Sequence, residues 1–293
     1  MLQVGRLAPN LLLEAAPLVT AFLEDEIADD GGARDREGKS DLYYTAFLLD
    51  ALIALQAELP VDRVRAYLAG FGDGEDLDLV HRACLVRCWT ALGTGWPSAR
   101  FADAMVRTFE ACRSADGGYA KEPGATDGTL YDAFLTLGVY QDLGRTLPEP
   151  EALVESFAKL RTDDGGFANA RELAWGTTPT TAAAAALLAQ LGFPVPEEVG
   201  PWLLARQHPR GGFLAMPEAP MPDLLSTATA LHALAALGQP IDRTDASGAR
   251  KEAALDYIDT LWSGRSFYGH WADDALDAEY TFYALLALGH LAV

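Results

Sequence analysis

Residues 161–192 read RTDDGGFANARELAWGTTPTTAAAAALLAQLG, and this stretch contains the pattern that decides the fold. It holds a Gly pair followed by an aromatic residue, Gly165-Gly166-Phe167, and then a short loop. An Ala- and Leu-rich segment follows the loop and stops at Leu191-Gly192. Ala and Leu favour the α-helix, and a Gly just beyond the last turn is a common helix stop. The stretch therefore predicts a Gly-rich turn that leads into a buried helix.

The same unit recurs six times along the chain, at a period of roughly 45 residues. The Gly turns are Asp30-Gly31-Gly32, Gly72-Asp73-Gly74, Asp116-Gly117-Gly118-Tyr119, Asp164-Gly165-Gly166-Phe167, Arg210-Gly211-Gly212-Phe213 and Tyr268-Gly269-His270-Trp271. A second, more amphipathic segment precedes several of the turns, at Ser98–Cys112, Pro150–Arg161, Pro196–Arg206 and Ala249–Trp262. Repetition at a fixed period is typical of helical repeat architectures. Each repeat is therefore predicted to be an outer helix, a Gly turn and an inner helix.

The repeats predict one all-α domain that covers residues 1–293. Its six units span approximately residues 10–56, 60–93, 98–144, 149–192, 196–238 and 249–290. The inner segments Ala182–Leu191 and Ala228–Leu237 are apolar nearly all round, which is typical of helices enclosed by other helices. We therefore expect a ring of inner helices inside a ring of outer helices.

The composition argues against several classes of protein. The chain has 42 acidic and 22 basic residues, and its formal charge of −20 repels nucleic-acid phosphates and anionic lipid surfaces. The three cysteines, Cys84, Cys88 and Cys112, argue against a disulfide framework because their number is odd. The N-terminus lacks a signal-peptide pattern, and no charge-free apolar run reaches the roughly 20 residues of a membrane span. We expect a cytoplasmic protein without a membrane span.

The starts of the six inner helices share a register. Five of the six begin with Asp, and the remaining one begins with Thr. The aligned stretches are Asp41–Thr45, Asp78–Arg82, Asp127–Tyr131, Thr177–Thr181, Asp223–Thr227 and Asp277–Thr281. Asp and Thr are good N-cap residues, and Asp also suits the positive end of the helix dipole. Equivalent starts place all six N-termini at one end of the ring, so we expect any site chemistry at that end.

These features resemble a known superfamily, which comprises the protein prenyltransferase β subunits and the class II terpene cyclases of the squalene–hopene type. The Gly-Gly-aromatic turns and the Ala/Leu-rich helices carry the resemblance over nearly the whole chain. The resemblance implies an (α/α)6 toroid around an apolar, aromatic-lined cavity. It also implies an apolar, isoprenoid-like ligand such as a polyprenyl diphosphate. The fold by itself does not select the reaction.

One branch of the superfamily binds zinc, and two stretches resemble parts of its site. Asp127-Gly128-Thr129 is similar to the Asp-Gly-Cys of the zinc prenyltransferases, with Thr129 in place of the thiolate. Asp78 and His81 resemble the element that supplies the histidine, but they come one repeat before the first element instead of after it. Zinc prefers Cys, His and carboxylate ligands. No cofactor is therefore firmly implied, and Asp78, His81 and Asp127 are weak metal-ligand candidates.

The cyclase branch carries Asp-x-Asp-Asp-Thr, in which a carboxylic acid protonates an alkene or an epoxide. The stretch most similar to it here is Asp277–Thr281, which keeps a carboxyl at the first and middle positions, Asp277 and Glu279. Burial beside Asp277 would raise the pKa of Glu279 and make it a proton donor. The alternative interpretation is an Asp cap followed by an exposed Glu in the first turn of an ordinary helix. Asp277 and Glu279 are the candidate catalytic residues.

Candidate substrate-binding residues are expected at the same end of the ring. Arg34, Arg36 and Lys39 form a basic cluster before the first inner helix, and the resemblance implies that such a loop holds a diphosphate. Cations beside a helix N-terminus favour anions, but acidic residues lie among these three, so a solvated mixed-charge loop is the alternative. The aromatic candidates for the cavity wall are Tyr43, Tyr44, Trp89, Trp271 and Tyr280.

Three functions are open on the sequence. The first is a cyclase- or prenyltransferase-like enzyme that acts on an isoprenoid or similar lipid. The second is a zinc-dependent protein prenyltransferase β-like subunit, which requires a helical partner protein. The third is a non-catalytic toroid that serves as a binding or assembly module. The carboxyl groups of Asp277 and Glu279 favour the first, and Thr129 in place of a thiolate argues against the second.

Overall fold

A computed structural model gives the structure of the protein and describes residues 1–93, 95, 97–239, 241 and 250–293. Within these ranges the chain forms fourteen α-helices and one short antiparallel sheet. In chain order the helices are α1 (Leu2–Gly5), α2 (Pro9–Leu12), α3 (Ala16–Asp25), α4 (Leu42–Ala54), α5 (Val61–Ala69), α6 (Leu79–Ala91), α7 (Ala99–Ala111), α8 (Leu130–Asp142), α9 (Pro150–Phe157), α10 (Thr178–Leu191), α11 (Val199–Leu204), α12 (Leu224–Ala236), α13 (Arg250–Asp259) and α14 (Ala278–Leu291). Strands β1 (Ala33–Arg34) and β2 (Ser40–Asp41) form the sheet, and Leu13–Ala15 and Ala158–Leu160 form 3-10 helices.

The helices form two concentric layers. The even-numbered helices from α4 to α14 form a closed inner ring, in which each helix packs against the next and α14 packs against α4. The odd-numbered helices from α3 to α13 form the outer layer and bury one apolar face each, as Phe101, Met105 and Phe109 do on α7. This architecture confirms the predicted all-α toroid. The predicted start of the last outer segment, residue 249, lies outside the described residues.

Five of the six predicted N-caps begin an inner helix as expected, and the third does not. The side chains of Asp41, Asp78, Thr177, Asp223 and Asp277 all accept a backbone N–H of the first helical turn. In the third repeat the cap is Thr129, whose hydroxyl accepts from the Asp132 backbone N–H at 3.0 Å. Gly128 packs directly on the backbone of Tyr119 and keeps the chain extended up to Thr129. The cap of this helix therefore falls two residues after Asp127.

A threonine hydroxyl attaches the Gly turn to the inner helix in several repeats. Thr45, Thr181 and Thr227 each accept the backbone N–H that follows the Gly pair, at 2.9 Å. Thr45 and Thr227 also donate to the carbonyl of their own cap residue, at 2.6 and 2.7 Å. All three threonines are fully buried. The turn and the start of the helix therefore form one rigid unit.

The sixth turn lies a few residues before its predicted position at Tyr268–Trp271. An isolated β-bridge joins Trp262 to Phe267, and Ser263 closes the turn by bonding Ser266 through both its N–H and its hydroxyl. Ser266 then bonds the hydroxyl of Thr281 at 2.6 Å, which replaces the backbone contact of the other repeats. Gly264, with a φ of +97°, thus takes the left-handed position of the other Gly turns, and Ser266 stands in the place of the second Gly.

The N-terminal segment closes the other end of the ring, where the inner helices end. Helix α1 packs against α14 and α4, and the approach is so close that a Cβ on Gly289 would lie 2.2 Å from the Val4 carbonyl oxygen. By length and composition, Leu2–Asp25 is long and apolar enough to cross a membrane, although Arg6 and Glu14 interrupt it. The segment is divided among three α-helices and a 3-10 turn.

The Gly turn of the fifth repeat is predicted to be intolerant of substitution. Gly211 has a φ of +82°, and a Cβ there would lie 1.7 Å from the carbonyl oxygen of Ala253 on α13. Gly211→Ala should therefore lower the free energy of unfolding by more than about 2 kcal/mol, measured by urea denaturation. Gly264→Ala is the matched control, because Gly264 has a φ of +97° with open space around it and should lose only about 1–2 kcal/mol. Equal losses in the two variants would contradict the close contact.

The threonine contact can be tested at Thr227. Thr227→Val keeps the shape of the side chain but leaves the buried Phe213 N–H without its acceptor, which should cost about 1–3 kcal/mol of unfolding free energy. Thr108→Val is the control, since the Thr108 hydroxyl bonds only a carbonyl of its own helix. If both variants unfold at the same denaturant concentration, the hydroxyl does not hold the turn.

Candidate functional site

Each inner helix leaves one face partly exposed, and that face points to the centre of the ring. In α14, ten residues are buried and four keep partial exposure. One of the four, Tyr280, lies against Arg36. The other three, Glu279, Tyr283 and His290, are spaced four and then seven residues apart, which is the period of one helix face. Because neighbouring helices flank α14 and α13 packs against it from the outer layer, this face lines the interior of the toroid.

Equivalent positions on the six inner helices form layers across the ring. The second residue of each helix forms the first layer, which consists of Tyr43, Val80, Tyr131, Pro179, Leu225 and Glu279. The sixth residue forms the next layer, which consists of Phe47, Cys84, Leu135, Ala183, Thr229 and Tyr283. The mouth of the ring is thus lined mainly by apolar and aromatic side chains, with a single carboxyl, Glu279, among the two layers.

Aromatic side chains surround Glu279. The Tyr43 hydroxyl donates a hydrogen bond to Oε1 of Glu279 at 2.7 Å. The ring of Phe47 lies 4.9 Å from that of Tyr43 and 5.4 Å from that of Tyr283, measured between centroids. Burial, then the nearby Cys84 and Glu279, raise the pKa of Tyr131 to about 12. Tyr131 on α8 therefore faces the same space as Glu279 on α14.

The carboxyl of Glu279 holds its proton more tightly than an ordinary glutamate. Burial raises the pKa of Glu279, and the charge of Asp277 raises it further. The hydrogen bond from Tyr43 and the charge of Arg36 act in the opposite direction but do not cancel the rise. A carboxyl with a raised pKa in an apolar wall is suited to general acid chemistry.

Asp277 is enclosed and has partners on both carboxylate oxygens. Its Oδ1 accepts the Tyr280 backbone N–H at 2.8 Å, and its Oδ2 accepts from Nε of Arg36 at 2.7 Å. Only 1% of its side chain is exposed. Asp277 therefore caps α14 and positions the loop that contains Arg36, and it does not face the ring interior as Glu279 does.

The three predicted basic residues do not converge on one point. Arg36 is bound by Asp277 and, through both terminal nitrogens, by Asp273 at 2.9 and 3.1 Å. Arg34 donates to the backbone carbonyl of Asp25, and the exposed Lys39 pairs with Glu37. An anion at this loop would have to displace these partners. The loop instead joins the first repeat to the last.

The predicted aromatic residues occupy different parts of the fold. Tyr44 lies beside Tyr43 at 5.7 Å, and Tyr280 lies beneath the guanidinium of Arg36 at 5.3 Å, so both are at the mouth. Trp271 bonds Thr260 and stacks against Tyr257, Arg210 and His208, which places it between the fifth and sixth repeats. Trp89 is 4% exposed and belongs to the packed core.

The weak metal candidates each pair with another charged side chain. The imidazole of His81 lies between two carboxylates, with Nδ1 2.8 Å from Asp78 and Nε2 3.3 Å from Asp41. Burial lowers the pKa of His81, but Asp78 and Asp41 outweigh it and raise the pKa overall. Asp127 instead pairs with Arg171 at 3.5 Å. In the described part of the chain, no three His, Cys, Asp or Glu side chains are grouped as metal ligands.

A groove of about 770 Å³ opens on the outer surface between α6 and α7. Arg82, Arg100, Arg107 and Lys121 line it, but Asp73, Glu75, Asp78 and Glu122 line it as well. Arg82 is bound to the carbonyls of Gly74 and Glu75. The groove is therefore balanced in charge and lies away from Glu279.

Tyr131 and Tyr283 belong to the candidate site although the family motifs do not point to them. They are the second and sixth residues of their inner helices, α8 and α14. They can be found by counting the helical period from the cap residue, because the second and the sixth residue of a helix lie on the same face. In α8 that count requires the cap at Thr129, which the alignment on Asp127 misplaces.

Comparisons with known proteins agree with the toroid fold. The family model for the prenyltransferase alpha-alpha toroid domain matches residues 67–168 and 180–292. No curated protein matches the chain by sequence.

Solved structures share the fold at low sequence identity. Protein geranylgeranyltransferase-I from Candida albicans, complexed with GGPP, has a TM-score of 0.70 at 13% identity, over 92% of this chain and 89% of that chain. A protein from Actinoplanes has a TM-score of 0.66 at 18% identity, over 96% and 99%. A variant of the type II terpene cyclase MstE from Scytonema, in complex with geranylgeranyl dihydroxybenzoate, has a TM-score of 0.64 at 16% identity, over 97% of both chains. At these identities the similarity shows the fold alone.

The bond between Tyr43 and Glu279 should be visible in the titration of Glu279. Tyr43→Phe removes a hydrogen bond that stabilises the carboxylate, so the pKa of Glu279 should rise further. Carbon-detected NMR of the labelled glutamate carboxyls, with Glu279→Gln for assignment, measures it. In the control Tyr44→Phe the pKa should stay unchanged, because the Tyr44 hydroxyl makes no bond to Glu279 among the described contacts. A pKa that falls in Tyr43→Phe would contradict the hydrogen-bond assignment.

Proposed function

The chain belongs to the prenyltransferase alpha-alpha toroid family, and on that premise we propose that it is a terpene-cyclase-like enzyme that binds an isoprenoid in the ring and protonates it through Glu279. The observation that carries the proposal is the position of Glu279. It is the carboxyl in a wall of aromatic and aliphatic side chains, and burial raises its pKa.

The proposed chemistry requires a proton, an apolar surface and stabilisation of positive charge. The Glu279 carboxyl gives its proton to one carbon of an alkene, and the π electrons form the new C–H bond. The next alkene of the chain attacks the resulting carbocation and closes a ring. The final carbocation loses a proton to water, and a proton from the solvent restores the Glu279 carboxyl. In this proposal the rings of Tyr43, Phe47 and Tyr283, which lie in the two layers at the mouth, stabilise the cation through their π electrons.

Asp277 and Arg36 act as positioning residues in this proposal. Asp277 fixes the start of α14, and Arg36 ties the loop of the first repeat to it. The negative charge of Asp277 also supports the raised pKa of Glu279. That GGPP and geranylgeranyl dihydroxybenzoate accompany two structures of similar fold supports the choice of an isoprenoid ligand. Binding of a diphosphate by Arg34, Arg36 and Lys39 together would require Arg36 to leave both of its carboxylates.

The proposal is tested by turnover of geranylgeraniol, geranylgeranyl diphosphate and geranylgeranyl dihydroxybenzoate, with products identified by mass spectrometry. Glu279→Gln keeps the shape and removes the acid, so kcat should fall about 10²- to 10⁴-fold with little change in KM. Glu26→Gln is the matched control, because Glu26 is another half-buried glutamate with a raised pKa but lies outside the ring-facing layers, and its kcat should not change.

The rate should also depend on pH in one direction. Only the protonated carboxyl donates, so the rate should fall as the pH rises through the pKa of Glu279, and this fall should lie above the range of an ordinary glutamate. Undiminished cyclisation by Glu279→Gln would overturn the assignment of the acid. Binding of all three compounds without any product would favour the non-catalytic binding module.

A further inference from the structure

The exposed large apolar side chains of the described residues fall into two groups. One group lies in the two terminal segments and consists of Met1, Leu11, Leu13, Leu18 and Val293. The other group lies at the mouth of the ring and consists of Tyr131, Leu173 and Trp175, which are 41%, 44% and 56% exposed. Exposed apolar side chains that gather in one place typically mark an interaction surface.

Hydrogen bonds hold the three mouth residues near one another. The loop of residues 169–176 follows the fourth Gly turn and ends next to the N-cap of α10, at the end of the ring where the inner helices begin. The side chain of Asn169 accepts the Tyr131 backbone N–H at 2.9 Å, and its carbonyl accepts the preceding N–H of α8 at 3.1 Å. Leu173 and Trp175 therefore lie on a loop that is attached to the start of α8 beside Tyr131.

The loop of the fifth repeat continues this apolar surface. It spans residues 214–222, and in it Met216 and Met221 keep partial exposure beside exposed prolines. The backbone N–H of Thr178, the first residue of α10, donates to the carbonyl of Ala215 at 2.8 Å. This bond joins the two loops three residues after Trp175 and one residue before Met216, so their apolar side chains belong to one part of the rim.

This part of the rim, which we call the apolar sector, consists of residues 171–175 and 215–221 together with the side chain of Tyr131. The corresponding loops of the other four repeats carry charged side chains instead, within residues 35–39, 75–76, 121–122 and 273–274. Inside the apolar sector the single cation, Arg171, pairs with Asp127 at 3.5 Å, and Glu172 and Glu218 are exposed. An apolar surface with a few acidic groups suits an uncharged partner better than an acidic one.

The two aromatic residues of the apolar sector suit the boundary between lipid and water. Trp175 and Tyr131 each combine an apolar ring with one polar group at its edge, and such side chains are enriched at membrane interfaces. Among the described residues, the Trp175 indole N–H and the Tyr131 hydroxyl have no hydrogen-bond partner in the protein. Both polar groups are therefore available to water or to lipid headgroups.

The apolar sector is continuous with the wall around Glu279. Tyr131 is exposed at the rim, and it is also a member of the first ring-facing layer, to which Glu279 belongs. An isoprenoid dissolves far better in lipid than in water. A ligand that leaves a lipid surface at Leu173 and Trp175 meets Tyr131 next and then the layer of Glu279, so it reaches the acid along apolar side chains.

We propose that the apolar sector docks on an uncharged lipid surface and that the isoprenoid ligand enters the ring there. Leu173 and Trp175 insert among the lipids, while Glu172 and Glu218 stay in the water beside the headgroups. Docking of this kind takes place in the interface and requires no membrane-spanning segment. The entry of an isoprenoid rests on the proposed function, whereas the docking itself does not.

The test is sedimentation of the full chain with sucrose-loaded phosphatidylcholine vesicles. The wild-type protein should bind, and Leu173→Ser/Trp175→Ser should lower its partition coefficient at least about tenfold, because two large apolar side chains no longer enter the lipid. Leu13→Ser/Leu18→Ser is the matched control: these leucines are 72% and 49% exposed in the terminal group, and their loss should not change binding. Phosphatidylglycerol in the vesicles should weaken binding at low ionic strength, because the chain carries a formal charge of −20.

Several outcomes would overturn the proposal. If the wild-type protein does not sediment with phosphatidylcholine vesicles, the apolar sector does not dock on lipid, and a protein partner becomes its occupant. Equal binding by wild type and Leu173→Ser/Trp175→Ser would show that another surface holds the lipid, and loss of binding in Leu13→Ser/Leu18→Ser alone would assign it to the terminal group. Tighter binding to vesicles with phosphatidylglycerol would contradict an uncharged surface.

A comparison of two ways to supply the ligand separates this proposal from the proposed function. With geranylgeraniol in phosphatidylcholine vesicles, Leu173→Ser/Trp175→Ser should turn over about tenfold more slowly than wild type at limiting vesicle concentration. With geranylgeraniol in cyclodextrin, the two should have the same kcat. An equal loss under both conditions would overturn entry from lipid. Absence of turnover by the wild-type protein under both conditions would overturn the proposed function, while vesicle binding would still test the docking.

Discussion

A buried hydroxyl that joins the Gly turn to the next inner helix is the contact on which the toroid depends. Thr45, Thr181 and Thr227 each accept an N–H that would otherwise be buried without a partner, so the turn cannot separate from the helix without losing that bond. In these repeats the contact fixes the direction in which the inner helix leaves its turn. The N-termini of the inner helices share one end of the ring, and the mouth residues are brought together there.

Helix capping determines which carboxyl groups at the mouth can face the interior of the ring. A cap residue uses its side chain on the backbone of its own helix, as Asp277 does, and Asp277 is further occupied by Arg36. Glu279, two residues later, faces the ring and has only the Tyr43 hydroxyl as its partner in the described contacts. The capping carboxyl positions the helix, whereas the ring-facing carboxyl lies in an apolar wall that raises its pKa.

Much of the fold is readable from the sequence because it is local and repeated. The Gly turns, five of the six caps and the order of outer and inner helices follow from patterns that extend over a few residues. The errors arise where one local pattern imitates another. Asp127 resembles a cap, but the close packing of Gly128 on Tyr119 moves the cap to Thr129. Tyr268–Trp271 resembles a Gly turn, but the turn forms earlier, around Gly264 and the bond from Ser263 to Ser266.

The sequence by itself determined the repeat, the all-α toroid and five of the six helix caps, because helix period and capping depend on neighbours within a few residues. Only the tertiary structure decided which side chains meet when the ring closes. Glu279 and Tyr43 are 236 residues apart in sequence and 2.7 Å apart in space, and Arg36 reaches Asp273 and Asp277 across the same seam. These pairings depend on how the first and last repeats pack against each other. A pattern of a few neighbouring residues therefore cannot predict which charged side chains will form ion pairs.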